Sequence, residues 1–327
     1  MKKLINDKNN IIEEMIQGIL KTNKSVKRVD NFNVIYDTKY DKNKVALISG
    51  GGSGHEPAHM GFVGQGMLSA AVAGEVFTSP TPDQVEAAIN HLNSNAGTLL
   101  IIKNYTGDKL NFEIAAQLAS ANNKQVETVL VDDDVAVENS TWTIGRRGIA
   151  GTIYVHKIAG AMAQKGASLS EVKRVAEKVI ENVRTFGISL NSIYIPTTGK
   201  KSFELDENTI EFGLGIHGEP GIKREAIKSS KLIVQEMLDL ILKDYNYQNS
   251  EVALMINGLG GTPEMELFIV ANDAHNYLKE KNVNVYTSNV GNFMTSLEMQ
   301  GISISLLKLD DELKELLMEP TEVKSWK

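Results

Sequence analysis

The sequence predicts an α/β protein with two domains, each a mixed or parallel β-sheet flanked by helices. Two observations lead to this prediction. Short apolar runs rich in β-branched residues alternate with longer runs of helical periodicity, a pattern typical of sheets covered by helices. The chain also has 327 residues, of which 42% are hydrophobic and 23% are charged, enough for about two domains of ~100–200 residues each. We predict domains at 1–184 and 185–327, with the boundary after a long helix.

The predicted strands are short segments in which apolar and β-branched residues dominate. Turn-forming glycine, asparagine or aspartate residues follow several of them, as expected for strands that end in loops. The seven predicted strands are residues 44–48, 98–103, 127–131, 209–216, 252–257, 284–287 and 302–309.

Helices are predicted between these strands from capping residues and apolar stripes. Thr81 suits the cap of a helix, Pro82 its first turn and Gln84 a capping box. Thr262 and Pro263 repeat the first part of this pattern. Further predicted helices lie at 145–165, 168–184, 263–281 and 310–317.

Composition excludes several classes of function. The net charge is −7 with no basic cluster of the kind that follows a phosphate backbone, so nucleic acid is not expected as a partner. The absence of cysteine excludes disulfides and thiolate metal sites. No apolar run has the length of a signal peptide core or a membrane span. We therefore expect a soluble cytoplasmic protein that does not bind membranes.

His217 is the residue that points most directly to chemistry. In an extended strand, Gly213, Gly215 and His217 would lie on the same side, so the ring would face a space free of side chains. Glycine weakens a strand and is usually present where a ligand or another backbone comes close. This pattern predicts a small ligand beside the ring. A half-buried histidine in a glycine-rich turn is the alternative.

A glycine-rich loop follows the first predicted strand, at residues 49–57 (Ser-Gly-Gly-Gly-Ser-Gly-His-Glu-Pro). Its backbone amides could bind an anion or an oxygen-rich ligand. A phosphate loop needs a lysine after its last glycine, but His55 and Glu56 stand there, and the dinucleotide fingerprint also fails at His55. We therefore predict no nucleotide site on this chain. A turn that only reverses the chain is the alternative.

The same loop contains a His-Glu-x-x-His sequence from His55 to His59, which in a helix would indicate a zinc site. Pro57 lies between the two histidines, and proline is accommodated only in the first turn of a helix. The two histidines are therefore not expected on one helical face. We predict no metal site, and we interpret His59 as a packing residue.

The second predicted strand ends in a polar loop at residues 103–108 (Lys-Asn-Tyr-Thr-Gly-Asp). Asp108 beside an imidazole from another loop could move a hydroxyl proton, and Lys103 could stabilise a bound oxygen. Capping of a helix that begins at Leu110 is the alternative role for Asp108. For the three aspartates at 132–134 we predict turn and capping roles, helped by Arg146 and Arg147, instead of a magnesium site.

Taken together, these loops resemble a known family, the substrate-binding K subunits of dihydroxyacetone kinases. The resemblance covers essentially the whole chain, and its motifs are specific only in combination. They lie at residues 49–57, 74–82 (Gly-Glu-Val-Phe-Thr-Ser-Pro-Thr-Pro), 101–108, 131–137, 145–148 and 215–221 (Gly-Ile-His-Gly-Glu-Pro-Gly).

The resemblance implies that His217 binds the ketone covalently as a hemiaminal. Such a bond would hold a small hydroxylated substrate and reject glycerol, which has no carbonyl group. The resemblance also implies that His55 accepts a proton and that Asp108 helps to activate the hydroxyl that becomes phosphorylated. The residues expected around the substrate, all present at matching positions, are Gly52, Ser53, Gly54, His55, Lys103 and Asp108.

The resemblance further implies a phosphotransferase whose phosphoryl donor sits on a partner. No cofactor is expected on this chain. ADP or ATP with Mg is expected on a separate L subunit, which an M subunit would rephosphorylate from phosphoenolpyruvate. A homodimer of this chain is also implied. Compared with longer relatives, the chain is compact between Tyr247 and Val252.

Two other functions stay open. The first is a K-like paralogue that binds dihydroxyacetone through the same histidine and co-regulates a transcription factor without catalysis. The intact loop from Lys103 to Asp108 favours the catalytic interpretation, because a pure binder has no need to activate a hydroxyl. The second is a zinc hydrolase built on His55 and His59.

Overall fold

The first sheet contains six strands, within a computed structural model that describes residues 2–137, 145–219 and 221–326. Pro220, part of the predicted motif at 215–221, lies outside the described residues. The strands are β1 (Val26–Arg28), β2 (Val34–Asp37), β3 (Ala46–Ser53), β4 (Ala70–Val76), β5 (Thr98–Lys103) and β6 (Val126–Val131). Their order is β1-β2-β4-β3-β5-β6. Strands β3 to β6 are parallel, and β1 and β2 pair antiparallel at one edge.

The second sheet also has six strands, in the order β11-β10-β7-β14-β12-β13, beside a hairpin of β8 and β9. These elements are β7 (Val183–Ser189), β8 (Tyr194–Ile195), β9 (Lys200–Lys201), β10 (Thr209–Phe212), β11 (Lys223–Ala226), β12 (Glu251–Gly258), β13 (Asn284–Gly291) and β14 (Gly301–Leu309). Strands β12 and β13 pair parallel, and the other described neighbours pair antiparallel. The prediction of two mixed sheets flanked by helices is confirmed.

Eight α-helices cover the sheets in the described part of the chain. They are α1 (Ile11–Thr22), α2 (Pro82–Leu92), α3 (Thr106–Ala121), α4 (Thr152–Gln164), α5 (Leu169–Asn182), α6 (Ser230–Asp244), α7 (Glu264–Glu280) and α8 (Asp311–Met318). A short 3-10 helix at Met60–Phe62 follows β3. No helix among the described residues is long and apolar enough to cross a membrane.

Alternation along the strands decides which helices cover which face. In β5, Leu100 and Ile102 pack with α2 and α3, whereas Leu99 and Ile101 point to the opposite face and pack with α4 and α5. In the second sheet, Leu254 faces α6 and α7, while Met255 joins the core formed by α4, α5 and α8. Helices α4, α5 and α8 therefore lie between the two sheets. The domain division at 184/185 stays a prediction.

Several predicted boundaries are wrong for local reasons. Strand β3 continues through Gly50–Ser53, so the first part of the glycine-rich segment is strand and not loop. Strand β10 ends at Phe212 because Gly213 adopts a positive φ of 75°, which leaves extended geometry. Helix α3 begins at Thr106, four residues before the predicted start, and α4 begins at Thr152, seven residues after the predicted start at 145.

Candidate active site

A cavity of about 730 Å³ opens where β3, β4 and β5 end and faces the loop that follows β10. Ligand sites of α/β proteins lie at the carboxyl ends of parallel strands, because the loops there leave space for a ligand. From the first part of the chain, the described lining residues lie at the end of β3, in the loops after β4 and β5, and in the first turn of α3. They include Gly52, Phe77, Thr78, Ser79, Tyr105, Thr106 and Asp108. Those from the second part of the chain include Ile195, Thr197, Thr198, Ser202, His217 and Glu219.

Glu219 fixes the orientation of the His217 ring. Its Oε1 atom lies 3.0 Å from His217 Nδ1, and its Oε2 atom accepts a hydrogen bond from the His217 backbone N–H at 2.9 Å. Burial alone would raise the pKa of Glu219, but the neighbouring His217 and Arg147 lower it to about 2. The carboxylate is therefore ionised and accepts the Nδ1 proton, which leaves Nε2 as the ring nitrogen that points away from Glu219.

The glycines before His217 make room for this carboxylate. A β-carbon on Gly215 would lie 2.1 Å from Glu219 Oε2 and 2.7 Å from Arg147 Nη1. A β-carbon on Gly213 would lie 2.8 Å from the β-carbon of Ala136. The predicted open space beside the ring is thus wrong: both glycines are needed for close packing of protein groups, and the cavity lies elsewhere around the histidine.

His55 meets His217 edge to edge. The two Nε2 atoms are 3.2 Å apart, and His55 Nδ1 lies 2.8 Å from the backbone oxygen of Thr295, to which it must donate its proton. His55 is fully buried. Burial, with smaller contributions from His217 and Lys103, holds the pKa of His55 well below its usual 6.5. His55 is therefore a neutral ring whose Nε2 can accept a proton.

Two aromatic rings hold this histidine pair in place. Phe77 stacks on His55 with ring centroids 5.1 Å apart, and its plane is nearly perpendicular to His217 at 5.3 Å. Tyr105 meets His217 in a second perpendicular contact at 4.6 Å. Phe77 has a positive φ of 55°, an uncommon conformation for a bulky residue. Packing on three sides restricts the rotation of the His217 ring.

Lys103 and Asp108 form a buried ion pair below the cavity. Lys103 Nζ lies 2.8 Å from Asp108 Oδ2 and donates to the backbone oxygen of Gly50 at 3.3 Å. Gly51 allows this approach, since a β-carbon there would lie 2.3 Å from the same Nζ. Asp108 lies in the first turn of α3 and lines the cavity, so its proposed role as the cap of a helix beginning at Leu110 is wrong.

The remaining predicted substrate ligands differ in their access to the cavity. Gly52 lines it, and a β-carbon there would lie 2.6 Å from the backbone nitrogen of Thr78. The Ser53 hydroxyl donates to the backbone oxygen of Gly74 at 2.7 Å, and the Gly54 N–H donates to the Glu56 carboxylate. Their roles as substrate ligands stay predictions, as do those of His55 and Lys103.

The His-Glu-x-x-His sequence does not form a helix. The 3-10 helix begins only at Met60, after both histidines. His59 is buried, and its Nδ1 lies 3.0 Å from His156 Nε2 on α4. Burial, with Lys103 and His156 as smaller causes, holds the pKa of His59 well below 6.5. Among the described residues, no group of three or more histidine, aspartate or glutamate side chains is arranged to hold a metal ion.

The turn and capping roles predicted for the aspartates after β6 are confirmed at two positions. The Asp133 carboxylate accepts hydrogen bonds from the backbone nitrogens of Ile149 and Gly151, at 2.7 Å each. Asp134 accepts from the Ala136 backbone and pairs with Arg147. Burial, only partly offset by these hydrogen bonds, raises the pKa of Asp133 to about 6. Arg146 pairs with Asp244 of α6.

Sequence reasoning missed three residues of the site: Glu219, Phe77 and Tyr105. The carboxylate of Glu219 stands two residues after His217, a spacing at which a side chain readily bonds a nearby backbone N–H. That signal was available. Phe77 and Tyr105 carried no local signal, since only the folded chain brings their rings against His217.

One known protein family matches most of this chain. The Dak1 domain profile matches residues 17–325. A curated relative from Listeria innocua is 49% identical over 329 residues, which is 100% of both chains, and is named the dihydroxyacetone-binding subunit DhaK of PTS-dependent dihydroxyacetone kinase 1.

Two solved structures are similar over nearly all of this chain. The dihydroxyacetone kinase operon co-activator DhaQ superposes with a TM-score of 0.92 at 37% identity, covering 96% of this chain and 98% of its own. The dihydroxyacetone kinase of C. freundii superposes with a TM-score of 0.91 at 35% identity, covering 99% of this chain and 60% of its own.

Proposed function

This chain belongs to the Dak1 family, and from that premise we propose that it is the dihydroxyacetone-binding subunit of a PTS-dependent dihydroxyacetone kinase, a phosphotransferase. The observation that carries the proposal is the pairing of His217 with Glu219 at the cavity wall. An ionised carboxylate on Nδ1 leaves the Nε2 lone pair available for a carbonyl carbon.

Substrate capture is proposed as a hemiaminal. The lone pair of His217 Nε2 forms a bond to the carbonyl carbon of dihydroxyacetone, and the π electrons of the carbonyl group move to its oxygen. His55 Nε2, 3.2 Å from His217 Nε2, takes the proton from that nitrogen before the attack and returns it to the carbonyl oxygen once the bond to carbon has formed. The alkylated ring keeps its Nδ1 proton, and the Glu219 carboxylate balances the charge of the ring.

The phosphoryl group is proposed to be accepted on the side of the cavity where Asp108 lies. Asp108 would take the proton of the attacking hydroxyl, while Lys103 keeps the carboxylate in place. Lysine and arginine side chains are lacking from the described cavity wall. The charge of a nucleotide would therefore be matched by a partner, the L subunit, which would carry ADP or ATP with Mg. An M subunit would rephosphorylate that nucleotide from phosphoenolpyruvate. A homodimer of this chain, located in the cytoplasm, also stays a prediction.

A non-catalytic co-regulator is the second candidate, favoured by the similarity to the DhaQ co-activator. Such a protein would need the His217 attachment but not the ion pair between Lys103 and Asp108. Because the two functions share the adduct, only phosphoryl transfer with the partner subunit separates them.

The test is mass spectrometry of the intact protein incubated with dihydroxyacetone. The first spectrum is recorded without borohydride, because reduction can release a hemiaminal. We expect an adduct on the wild type that His217→Ala abolishes and that peptide mapping assigns to His217. The matched control is His275→Ala, since His275 is exposed on α7 far along the chain. Covalent capture by this residue would be overturned if the wild-type protein shows no adduct without borohydride, or if the adduct persists in His217→Ala.

A further inference from the structure

Arg147 lies directly behind the pair formed by Glu219 and His217. Its side chain is completely buried, with Nε donating to Asp134 Oδ2 at 2.7 Å and Nη2 to the backbone oxygen of Gly213 at 2.7 Å. Asp134 belongs to the segment after β6, whereas Gly213 begins the loop that carries His217. Arg147 therefore connects the first part of the chain to the histidine loop.

The third nitrogen of this guanidinium and the Glu219 carboxylate lie next to the same glycine, Gly215. Arg147 Nη1 and Glu219 Oε2 both approach Gly215, at 2.7 Å and 2.1 Å from the point where a β-carbon would stand. Nη1 makes no hydrogen bond to another described residue. Two buried carboxylates, Asp134 and Glu219, thus flank one buried cation. Burying a carboxylate without a counter-charge is costly, so this cation, together with His217, helps Glu219 to stay ionised.

We propose that Arg147 is a positioning residue for substrate capture, acting through Glu219 on the tautomer of His217. Its charge keeps the Glu219 carboxylate ionised, the carboxylate holds the proton on His217 Nδ1, and Nε2 stays free. Gly215 leaves room for both the guanidinium and the carboxylate. Arg147 itself does not line the cavity, so it is not a catalytic residue.

The first test observes the His217 Nδ1 proton by NMR in protein labelled with ¹⁵N-histidine, without substrate. A proton shared with a buried carboxylate resonates far downfield, and His217→Ala assigns the signal. We expect Arg147→Met to move this resonance upfield or to lose it by exchange, and Arg147→Lys to restore it in part. The same resonance in Arg147→Met and wild type would overturn the proposal.

The second test measures adduct formation against pH and rests on the proposed function. Without Arg147 the pKa of Glu219 should rise, because one of the two neighbours that oppose the effect of burial is lost, and the loss of adduct on acidification should move to higher pH by roughly one to three units. A purely structural role of Arg147 would lower adduct formation at every pH without moving the pH at which adduct is lost on acidification. That outcome contradicts the proposal.

One variant guards against misfolding. Arg147→Met alone leaves the Asp134 carboxylate buried without its partner, which destabilises the fold. The double variant Asp134→Asn with Arg147→Met removes both charges, and we expect it to fold. It should still show the shifted His217 Nδ1 proton resonance and the shifted pH dependence of adduct formation. If wild type forms no adduct, the proposed function fails while the substrate-free NMR result still decides the role of Arg147.

Discussion

The Nε2 atoms of His55 and His217 lie 3.2 Å apart, and each ring donates its other nitrogen's proton to a fixed acceptor. His55 donates to the Thr295 carbonyl and His217 to the Glu219 carboxylate. When both rings are neutral, two lone pairs face each other. When His217 Nε2 carries a proton, His55 Nε2 can accept it and free the lone pair that attacks the carbonyl carbon, in a geometry set before the substrate arrives.

We expect His55→Asn to slow adduct formation by about 100-fold or more, the size of effect typical of lost general acid–base assistance. His217 would remain as the nucleophile, so adduct should still accumulate at long times. The measurement is the rate of adduct formation by mass spectrometry of quenched samples. The control is His275→Asn at an exposed position. A rate equal to that of wild type would remove His55 from this step.

Gly215→Ala tests the correction to the role of the glycines. The added methyl group would stand 2.1 Å from Glu219 Oε2, so the carboxylate must move away from the His217 ring. We expect adduct formation to fall by about 100-fold, as for other small displacements of reacting groups. Gly187→Ala in β7 is the control, because its β-carbon would meet its neighbours at 3.6 Å, an ordinary contact. Normal adduct formation in Gly215→Ala would contradict this packing argument.

The sequence alone predicts the parts of the site that are local in the chain. His217, His55 and the segment from Lys103 to Asp108 each follow a strand, and the fold class follows from the alternation of strands and helices. Contacts between residues far apart in the sequence could not be predicted from these local patterns. Arg147 reaches Gly213 across 66 residues of sequence, and His55 reaches the Thr295 carbonyl across 240.

Missed elements of the fold have similar explanations. Strand β4 (Ala70–Val76) contains alanine and glycine, which have low strand propensity, and it forms because it is buried between β2 and β3. Strand β7 begins at Val183, directly after α5, and Val183 continues the valine spacing of that helix. The predicted helix therefore ran on into the strand. Here, pairing with β14 overrides the local pattern.

Asp108→Asn should separate capture from transfer. His217 and Glu219 are untouched, so we expect adduct retention to remain largely intact, while phosphoryl transfer with the partner subunit falls by ~100-fold or more through loss of the proton acceptor. The control is Asp83→Asn, the same change in the first turn of α2 at an exposed position. Equal loss of retention and transfer would defeat this division of roles.

The Asp108 variant also leaves Lys103 buried without its ion pair partner. Lys103 is inaccessible to solvent, and its remaining hydrogen bond to a described residue is the one to the Gly50 carbonyl. The free energy of unfolding should therefore fall as well, by about 3–5 kcal/mol. Adding Lys103→Met to Asp108→Asn removes the unpaired cation. If transfer is still low while stability returns, the loss of transfer comes from the missing carboxylate and not from a damaged fold.

The buried pair of His59 and His156 predicts that the fold is sensitive to acid. Burial, with Lys103 as a smaller cause, lowers the pKa of His156 from 6.5 to about 3. Below pH 6.5 the unfolded chain therefore binds a proton that the folded protein does not take up until about pH 3. Unfolding is favoured as the pH falls, and at pH 5 this histidine alone should cost about 2 kcal/mol relative to neutral pH.

His156→Gln removes the titrating group while an amide can still reach His59. We expect the free energy of unfolding, measured by urea titration, to fall by about 2 kcal/mol less between pH 7.5 and pH 5 than in wild type. His91→Gln on the exposed face of α2 serves as the matched control, and its pH dependence should equal that of wild type. If His156→Gln loses as much stability on acidification as wild type, His156 does not stay neutral in the folded protein.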